Sequence, residues 1–591
     1  MNERHKAKRY LREKPYVDFY IPFEGEIPTL KIAQAVLEYG ARPEELKYKH
    51  GELFEGSFFI SKEGELMEQG IGIQMQDINE VPSPYLNGWL DAFLHEGLHA
   101  MFETQRGCPY KCTFCHTGLD YYNRGRQFSL ERCKEEIRYI TDTVADPTKV
   151  HLYITDSNFG MWPQDLEFGK WLNEHYEKTG FPLSFGTSTG KGRAWMVLAT
   201  VMSHPKLMLT NSVQSMDEKV LKTIKRKNFP MDELQKAQEE LDAHDKLSCP
   251  EVILGLPNET RESHLDTLRK LMQDVGANLI LQYTLMLLPG TEIYEDRMRE
   301  EHKYVVKYRV IPTSFGEYKG VRTFEIEEVS VGTKDLSYRE YLEMREIFFL
   351  VRNVYSNDIY KPLIRYLFYL GDDVIDYFLF MMEKRRSLGD HFANKVLNDY
   401  IRDTEEELFD SREELIEYFS KDENYPDLLM GKKGKNITHT YRTIVLVHSK
   451  EWSEFVVSSL VEYIKKRHPQ DGEVMRVTES LIRHIKAQVQ CQHRYFNERS
   501  RIPHKDCPLK SKLGYRLPEI FSKKVDRSQY PCLQEEEGTY AYYMKDDAIK
   551  YITSLPENLR TVDLALIVLR MDQSYLFPLY RREESEVLVP S

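Results

Sequence analysis

Between residues 92 and 312 the sequence alternates short β-prone runs with longer amphipathic stretches, and this alternation constrains the fold more than any other feature. Strand candidates fall at 100–104, 150–155, 183–187, 207–213, 250–254 and 279–287. Helical patterns lie at 130–143, 162–179, 192–203, 217–227, 231–244 and 262–275. Parallel neighbours need a crossover, usually a helix, so the pattern predicts a parallel sheet. Some six strands fit an open or partly closed β/α barrel, with the active site at the C-terminal strand ends.

The flanks read differently. Residues 17–21 (VDFYI) are a β-prone run, and Thr29 is positioned to cap a helix ending at Gly40. Residues 53–61 and 65–73 suggest a hairpin, and the proline-punctuated stretch 77–84 marks a boundary. A second boundary is placed near Gly320. Beyond it, capping boxes at Ser337-x-x-Glu340, Thr404-x-x-Glu407 and Ser411-x-x-Glu414 predict that 335–467 is almost all helical. The acidic run 405–407 reads as a helix N-terminus. Residues 444–448 and 564–570 read as strands. The expected domains are therefore 1–84, 85–320 and a mainly helical 321–591 that divides into two subdomains or forms a lid or substrate wall.

Composition excludes several classes. With 41% hydrophobic and 12% aromatic residues, the chain has material for sizeable cores, which argues against global disorder. No window approaches the ~18 apolar residues of a membrane span. A net charge of −13 argues against bulk nucleic-acid binding. A cytoplasmic location is expected, where eight cysteines are not for disulfides. Three of them cluster as Cys108, Cys112 and Cys115, in a loop just after the first strand. Three thiolates from one loop can hold three corners of a cubane iron–sulfur cluster and leave the fourth iron open. Zinc is the competing reading, since Cys-x2-Cys pairs bind it too.

Cys108-x3-Cys112-x-Phe114-Cys115 resembles the signature of the radical SAM superfamily. Four later segments are similar to that superfamily in order: Asp156-Ser-Asn158 at the second strand end, Gln214-Ser215 at the fourth, Ile253-Leu-Gly255-Leu256-Pro257 with Glu259 at the fifth, and residues 285–291 at the last. The resemblance implies that the three cysteines hold a [4Fe–4S] cluster. It implies S-adenosylmethionine at its open iron, with cosubstrate contacts from Phe114, Asp156, Asn158, Gln214, Ser215, Gly255 and Leu256. It implies a partial (β/α)6 barrel and reductive cleavage to a 5′-deoxyadenosyl radical, with a reductant such as flavodoxin or ferredoxin as partner. The reaction outcome, C-methylation or rearrangement of a small-molecule or unknown substrate, stays open.

A narrower resemblance covers the front. Residues 77–85 with Arg106-Gly-Cys108 look like radical SAM enzymes that carry an N-terminal cobalamin-binding domain, and residues 17–40 resemble the end of that Rossmann-like fold. The fold class expected overall is α/β, with a truncated Rossmann-like N-terminal piece before the barrel. The signature Asp-x-His-x-x-Gly is absent from the sequence, so cobalamin stays open as a cofactor.

Three other signals compete. A catalytically decayed radical SAM-like iron–sulfur interaction protein is the alternative to an enzyme. His95-Glu96-x-x-His99 matches a zinc-hydrolase string, which requires both histidines on one helix face. Cys491, His493, His504, Cys507 and Cys532 form a loose group that reads as single thiols rather than a second metal site. The runs 222–227, 384–386 and 432–435 read as solvated basic patches.

Overall fold

The computed structural model describes residues 3–40, 42–49, 54–68, 70, 74–515, 535–555 and 577–583. The chain divides into two compact units: residues 1–208, 224–227 and 287–301 form unit 1, and residues 209–223, 228–286 and 302–591 form unit 2.

Unit 1 begins with α1 (Glu3–Glu13), α2 (Glu26–Tyr39) and α3 (Pro43–Lys49), followed by an antiparallel hairpin of β1 (Phe58–Ile60) and β2 (Leu66–Glu68). The helix expected from Thr29 starts three residues earlier and ends on a left-handed Gly40. The run 17–21 contributes only a bridge from Tyr20 to Phe58. The strand pairing described in this front segment is antiparallel, whereas a Rossmann-like sheet is built of parallel neighbours.

After α4 (Asp91–His95), β3 (Ala100–Phe102) leads to β4 (Gln105–Arg106), which pairs with β5 (Arg126–Gln127). The crossover helices α5 (Leu130–Thr143) and α6 (Pro163–Thr179) flank β6 (Leu152–Phe159), and β7 (Phe185–Thr189) precedes α7 (Ala194–Met202). β3, β6 and β7 form a parallel sheet in that order. α5 buries Cys133, Ile137 and Ile140 at helical spacing, and Ser129 caps it.

Unit 2 continues the series. α8 (Glu218–Thr223) and α9 (Met231–Ala243) precede β8 (Glu251–Leu254). α10 (Arg261–Arg269) runs on as a π-turn before β9 (Leu281–Thr284), which pairs parallel to β8. Leu209 and Gln214 make parallel bridges to Ser248 and Val252, so the fourth expected strand is present as two bridges. Each unit thus holds three of the six expected parallel segments. α11 (Asp296–His302) follows.

A long antiparallel hairpin, β10 (Val305–Tyr318) and β11 (Val321–Gly332), then spans the expected boundary at Gly320. Gly320 and Lys319 form its turn, both with positive φ, the geometry of a type I′ loop. The helical region follows as α12 (Tyr338–Leu350), α13 (Lys361–Leu370), α14 (Val374–Arg386), α15 (Phe392–Glu406), α16 (Arg412–Ser420), α17 (Tyr425–Leu429), α18 (Ile437–Val447), α19 (Ser449–Arg467) and α20 (Gly472–Asn497). Its faces bury a continuous core that includes Tyr341, Phe349, Tyr377, Trp452 and Leu481. A small sheet of β12 (Leu509–Tyr515), β13 (Glu535–Tyr543) and β14 (Leu579–Arg582), with α21 (Asp546–Ser554), closes the described chain.

Three C-terminal expectations are corrected. Residues 444–448 fall in or against α18, because Val445 and Leu446 bury in the helical core; burial overrides β-propensity there. Thr404 is inside α15, not at a cap, and its Oγ1 donates to Tyr400 O at 2.8 Å. The acidic run 405–407 is therefore a helix C-terminus, offset by Arg309 at 2.8 Å from Glu407 and Lys433 at 2.7 Å from Glu406. The cap at Ser411 and the capping box at Ser337 form as expected. The expected strand 564–570 lies outside the described residues.

Candidate functional site

The cysteine loop leaves β4 and is pinned on every side by backbone bonds within unit 1. Cys108 N donates to Tyr122 O at 2.7 Å, Thr113 N to Ile224 O at 3.1 Å, and Ile293 N to Thr113 O at 3.0 Å. A turn closes through Cys115 N to Cys112 O, 3.1 Å, and Gly118 N to Cys115 O, 3.0 Å. Two glycines permit this path. Gly107 has φ +103°, and a Cβ there would meet Arg124 O at 2.2 Å; one on Gly118 would meet Cys112 O at 2.4 Å.

Cys108 and Cys112 are buried, Cys115 is half-buried, and all three are free thiols. Asn158 Nδ2 donates to Cys108 Sγ at 3.1 Å, and Arg226 Nη1 to Cys112 Sγ at 4.0 Å. Burial pushes the Cys112 thiol up, while Arg226 and Lys191 pull it back toward the thiolate. Burial in turn pulls Arg226 down, opposed by Cys112 and Cys108. Among the described residues no three His, Cys, Asp or Glu side chains converge as a single ion demands. A cubane places each thiolate on its own iron, so three separated sulfurs with N–H donors aimed at two of them fit that group.

The strand-end residues divide between the units. In unit 1, Asp156 is 2% exposed and both its oxygens are engaged. Oδ1 accepts from Thr104 N at 2.8 Å and Gln105 N at 3.2 Å, and Oδ2 accepts from Thr104 Oγ1. Burial raises its pKa to about 7 against those hydrogen bonds, with Asp165 adding repulsion. Asp165, itself raised by burial to about 6, accepts from Gly160 N and Trp162 N. Asn158 is buried with Oδ1 unbonded, and Phe114 is half-buried.

In unit 2, Gln214 has φ +65°, a rare conformation for a side-chain-bearing residue, and its buried Oε1 has no hydrogen-bond partner. Ser215 is buried, and its Oγ accepts from Asp217 N at 3.2 Å. Gly255 N and Leu256 N both donate to Glu259 Oε2, at 2.7 and 3.3 Å, and the Leu256 side chain is fully buried. Glu259 Oε1 lies 2.9 Å from His264 Nδ1; burial pulls that imidazole down, but Glu259 and Gln282 leave it raised.

Cys108, Cys112 and Asn158 are thus brought together in unit 1, and Gln214, Ser215, Gly255 and Leu256 cluster at the strand ends of unit 2. Arg226 corrects the expectation of a solvated run at 222–227: it is 8% exposed and faces the thiols. No local signal separates it from its neighbour Lys225, which pairs on the surface with Glu292 at 2.7 Å. The run 384–386 is corrected likewise, since Arg385 is buried against Glu346 at 2.6 Å.

The zinc-hydrolase string does not form its site. α4 ends at His95 and Glu96 caps it, so His99 lies beyond the helix and packs edge-on against His151. Cys491 is buried in α20, and Cys507 is exposed. His493 Nδ1 lies 3.3 Å from Asn497 Nδ2. His504 and Cys507 meet only as a backbone bridge. Cys532 lies outside the described residues.

Comparison with known families matches residues 102–271 to the radical SAM superfamily. Residues 102–271 are a radical SAM domain. The chain thus contains a radical SAM domain, and its fold class is α/β with a mainly helical C-terminal region. The chain is 30% identical over 307 residues to the cobalamin-dependent radical SAM methyltransferase TokK of Streptomyces tokunonensis, covering 50% of this chain and 43% of that protein. It is 33% identical over 224 residues to a 2-(S-pantetheinyl)-carbapenam-3-carboxylate methyltransferase of Streptantibioticus cattleyicolor, covering 36% of this chain and 32% of that protein. The chain thus matches less than half the length of these curated relatives. A solved structure of the cobalamin-dependent S-adenosylmethionine radical enzyme OxsB aligns with a TM-score of 0.41 and 15% identity, over 82% of this chain and 70% of that one. No helix among the described residues is long and apolar enough to cross a membrane.

Proposed function

We propose that this chain is a radical SAM methyltransferase acting on carbon of a small-molecule substrate. Cys108, Cys112 and Cys115 hold the cluster, and a one-electron donor of the flavodoxin or ferredoxin kind reduces it. The observation that carries the reading is the pair of buried N–H donors, Asn158 on Cys108 and Arg226 on Cys112, on a loop that passes where a Cβ at Gly107 or Gly118 would clash. When bound, cluster and cosubstrate supply reductive cleavage of a sulfonium. Methyl transfer is favoured over rearrangement because the two relatives described above are named methyltransferases.

The chain's own residues prepare the site. Asp156 clamps Thr104 and Gln105, which fixes the strand end from which the cysteine loop departs. Its engaged oxygens make it a positioning residue rather than a cosubstrate contact. Asn158, whose buried Oδ1 is unbonded and whose amide faces Cys108, is the polar contact that unit 1 offers to the cosubstrate; Gln214, with an unbonded buried oxygen, and Ser215 stand at a strand end of unit 2. Phe114 supplies a half-buried ring beside the cluster loop. Glu259 takes up the N–H groups of Gly255 and Leu256 and so shapes that strand end.

Residues 1–84 do not fit a histidine-ligated cobalamin: the Asp-x-His-x-x-Gly string is absent and the described pairing is antiparallel. No step is assigned to that cofactor. Anaerobic protein incubated with reductant and S-adenosylmethionine is expected to release 5′-deoxyadenosine or S-adenosylhomocysteine, and Cys112→Ala to release neither. Full iron and sulfide content with no cosubstrate turnover would instead favour a decayed, non-catalytic protein.

A further inference from the structure

Two arginines of unit 2, Arg352 and Arg442, are buried without an acidic partner among the described residues. They are 7% and 6% exposed. Arg352 lies in the π-turn Val351–Tyr355 that continues α12, and α18, which carries Arg442, packs against that turn. Arg352 Nη1 donates to Ile280 O at 3.3 Å, just before β9. Cys249 and Tyr283 are the other polar groups it feels, and Arg442 feels Arg352 as a like charge. Glu251 is close enough to act on Cys249 and Tyr283. Its carboxylate, however, accepts from Ser212 Oγ at 2.5 Å and Tyr283 Oη at 3.4 Å and makes no ion pair with either arginine.

Arg385 and Arg309, also buried in this unit, are paired with acids: Arg385 has Glu346, with Asn394 and Asn398, and Arg309 has Glu327 and Glu407. Arg345 has no ion pair, but it lies over the Tyr400 ring and donates to Thr438 Oγ1 at 3.4 Å. Buried charges are ordinarily paired, because an uncompensated one costs several kcal/mol. Two buried guanidinium groups on elements packed against each other present planar forks of the kind that take carboxylate and phosphoryl oxygens. π-turns recur at functional positions. Tyr283, beside Arg352, is 50% exposed, which leaves a way in from solvent.

We infer that Arg352 and Arg442 form a binding site for an oxyanion, the carboxylate or phosphoryl group of a small molecule, at the N-terminal ends of β8 and β9. From Cys249 to Gly255 an extended chain covers roughly 20 Å. The site is therefore separate from the strand ends at Gly255 and does not depend on the proposed methyl transfer.

Thermal unfolding of the full chain in increasing inorganic phosphate, and separately in acetate, each held at constant ionic strength with chloride, tests it. A saturable rise in the midpoint is expected with at least one anion. Phosphate alone identifies a phosphoryl group, and acetate alone a carboxylate. The rise is expected to vanish in Arg442→Met and to need about tenfold more anion in Arg442→Lys, which keeps the charge but loses the fork. No rise in the unaltered protein overturns the proposal, whether or not Arg442→Met folds. A rise of equal size and concentration dependence in Arg442→Lys and Arg352→Met overturns it as well.

Discussion

Arg226 directs its Nη1 at the sulfur of Cys112 from 4.0 Å, and both side chains are buried. The residues are 114 positions apart in the chain. The backbone bond from Thr113 N to Ile224 O holds the two segments together. A buried cation beside a thiolate of the proposed cluster site favours electron uptake there.

Arg226→Met is therefore expected to lower the midpoint potential of the reconstituted cluster. Each ~1.4 kcal/mol of lost stabilisation of the reduced form corresponds to about 59 mV for a one-electron couple. Potentiometric titration followed by electron paramagnetic resonance measures it, and Arg226→Lys should recover part of the loss. An unchanged potential would reduce Arg226 to a packing residue.

Asp156 predicts a pH dependence of stability. Its folded-state pKa is raised by burial to about 7, above the ordinary carboxylate value of about 3.9. Between those values the folded state binds more protons than the unfolded, so this group makes stability fall as pH rises from about 4 to 7. Each unit of difference is worth about 1.4 kcal/mol, so the fall amounts to a few kcal/mol at most. Asp156→Asn removes that slope. Urea midpoints at pH 5 and 7.5 should converge in the variant relative to the unaltered protein.

Gly118→Ala places a methyl 2.4 Å from Cys112 O. The loop must shift, and iron and sulfide bound per chain should fall severalfold. The cost in global stability is expected to stay near 1–3 kcal/mol, the range of local backbone strain. Gly64→Ala is no steric control, because its φ of +82° strains any side chain.

Gln214 is held at φ +65° with an unbonded buried oxygen. Gln214→Gly should relieve about 1 kcal/mol of strain, partly offset by the greater freedom of the unfolded chain. It should also raise the concentration of S-adenosylmethionine needed for half-maximal cleavage. Stabilisation with weaker cosubstrate use is the signature of strain kept for function, whereas an unchanged half-maximal concentration would remove Gln214 from the site.

Much of the fold was legible because it is local. The helical pattern at 130–143 is reproduced by the structure at both bounds, and the structure adds the Ser129 cap. The long hairpin was missed although residues 321–332 alternate and Lys319-Gly320 is a turn signal; the capping box just downstream drew the boundary into its middle. Thr404-x-x-Glu407 matched a cap as a string, yet the apolar positions Val396, Leu397 and Tyr400 carry the helix straight through it.

The sequence by itself determined the strand–helix order and the three-cysteine loop, because each is written in residues a few positions apart. Tertiary structure alone decided which charges are buried. Arg226 faces the thiols while Lys225 pairs at the surface, Asp156 spends its carboxylate on Thr104 and Gln105, and Arg352 and Arg442 are buried without an acidic partner among the described residues. These outcomes depend on contacts between distant segments and on the cost of removing a charge from water, and neither is carried by local periodicity.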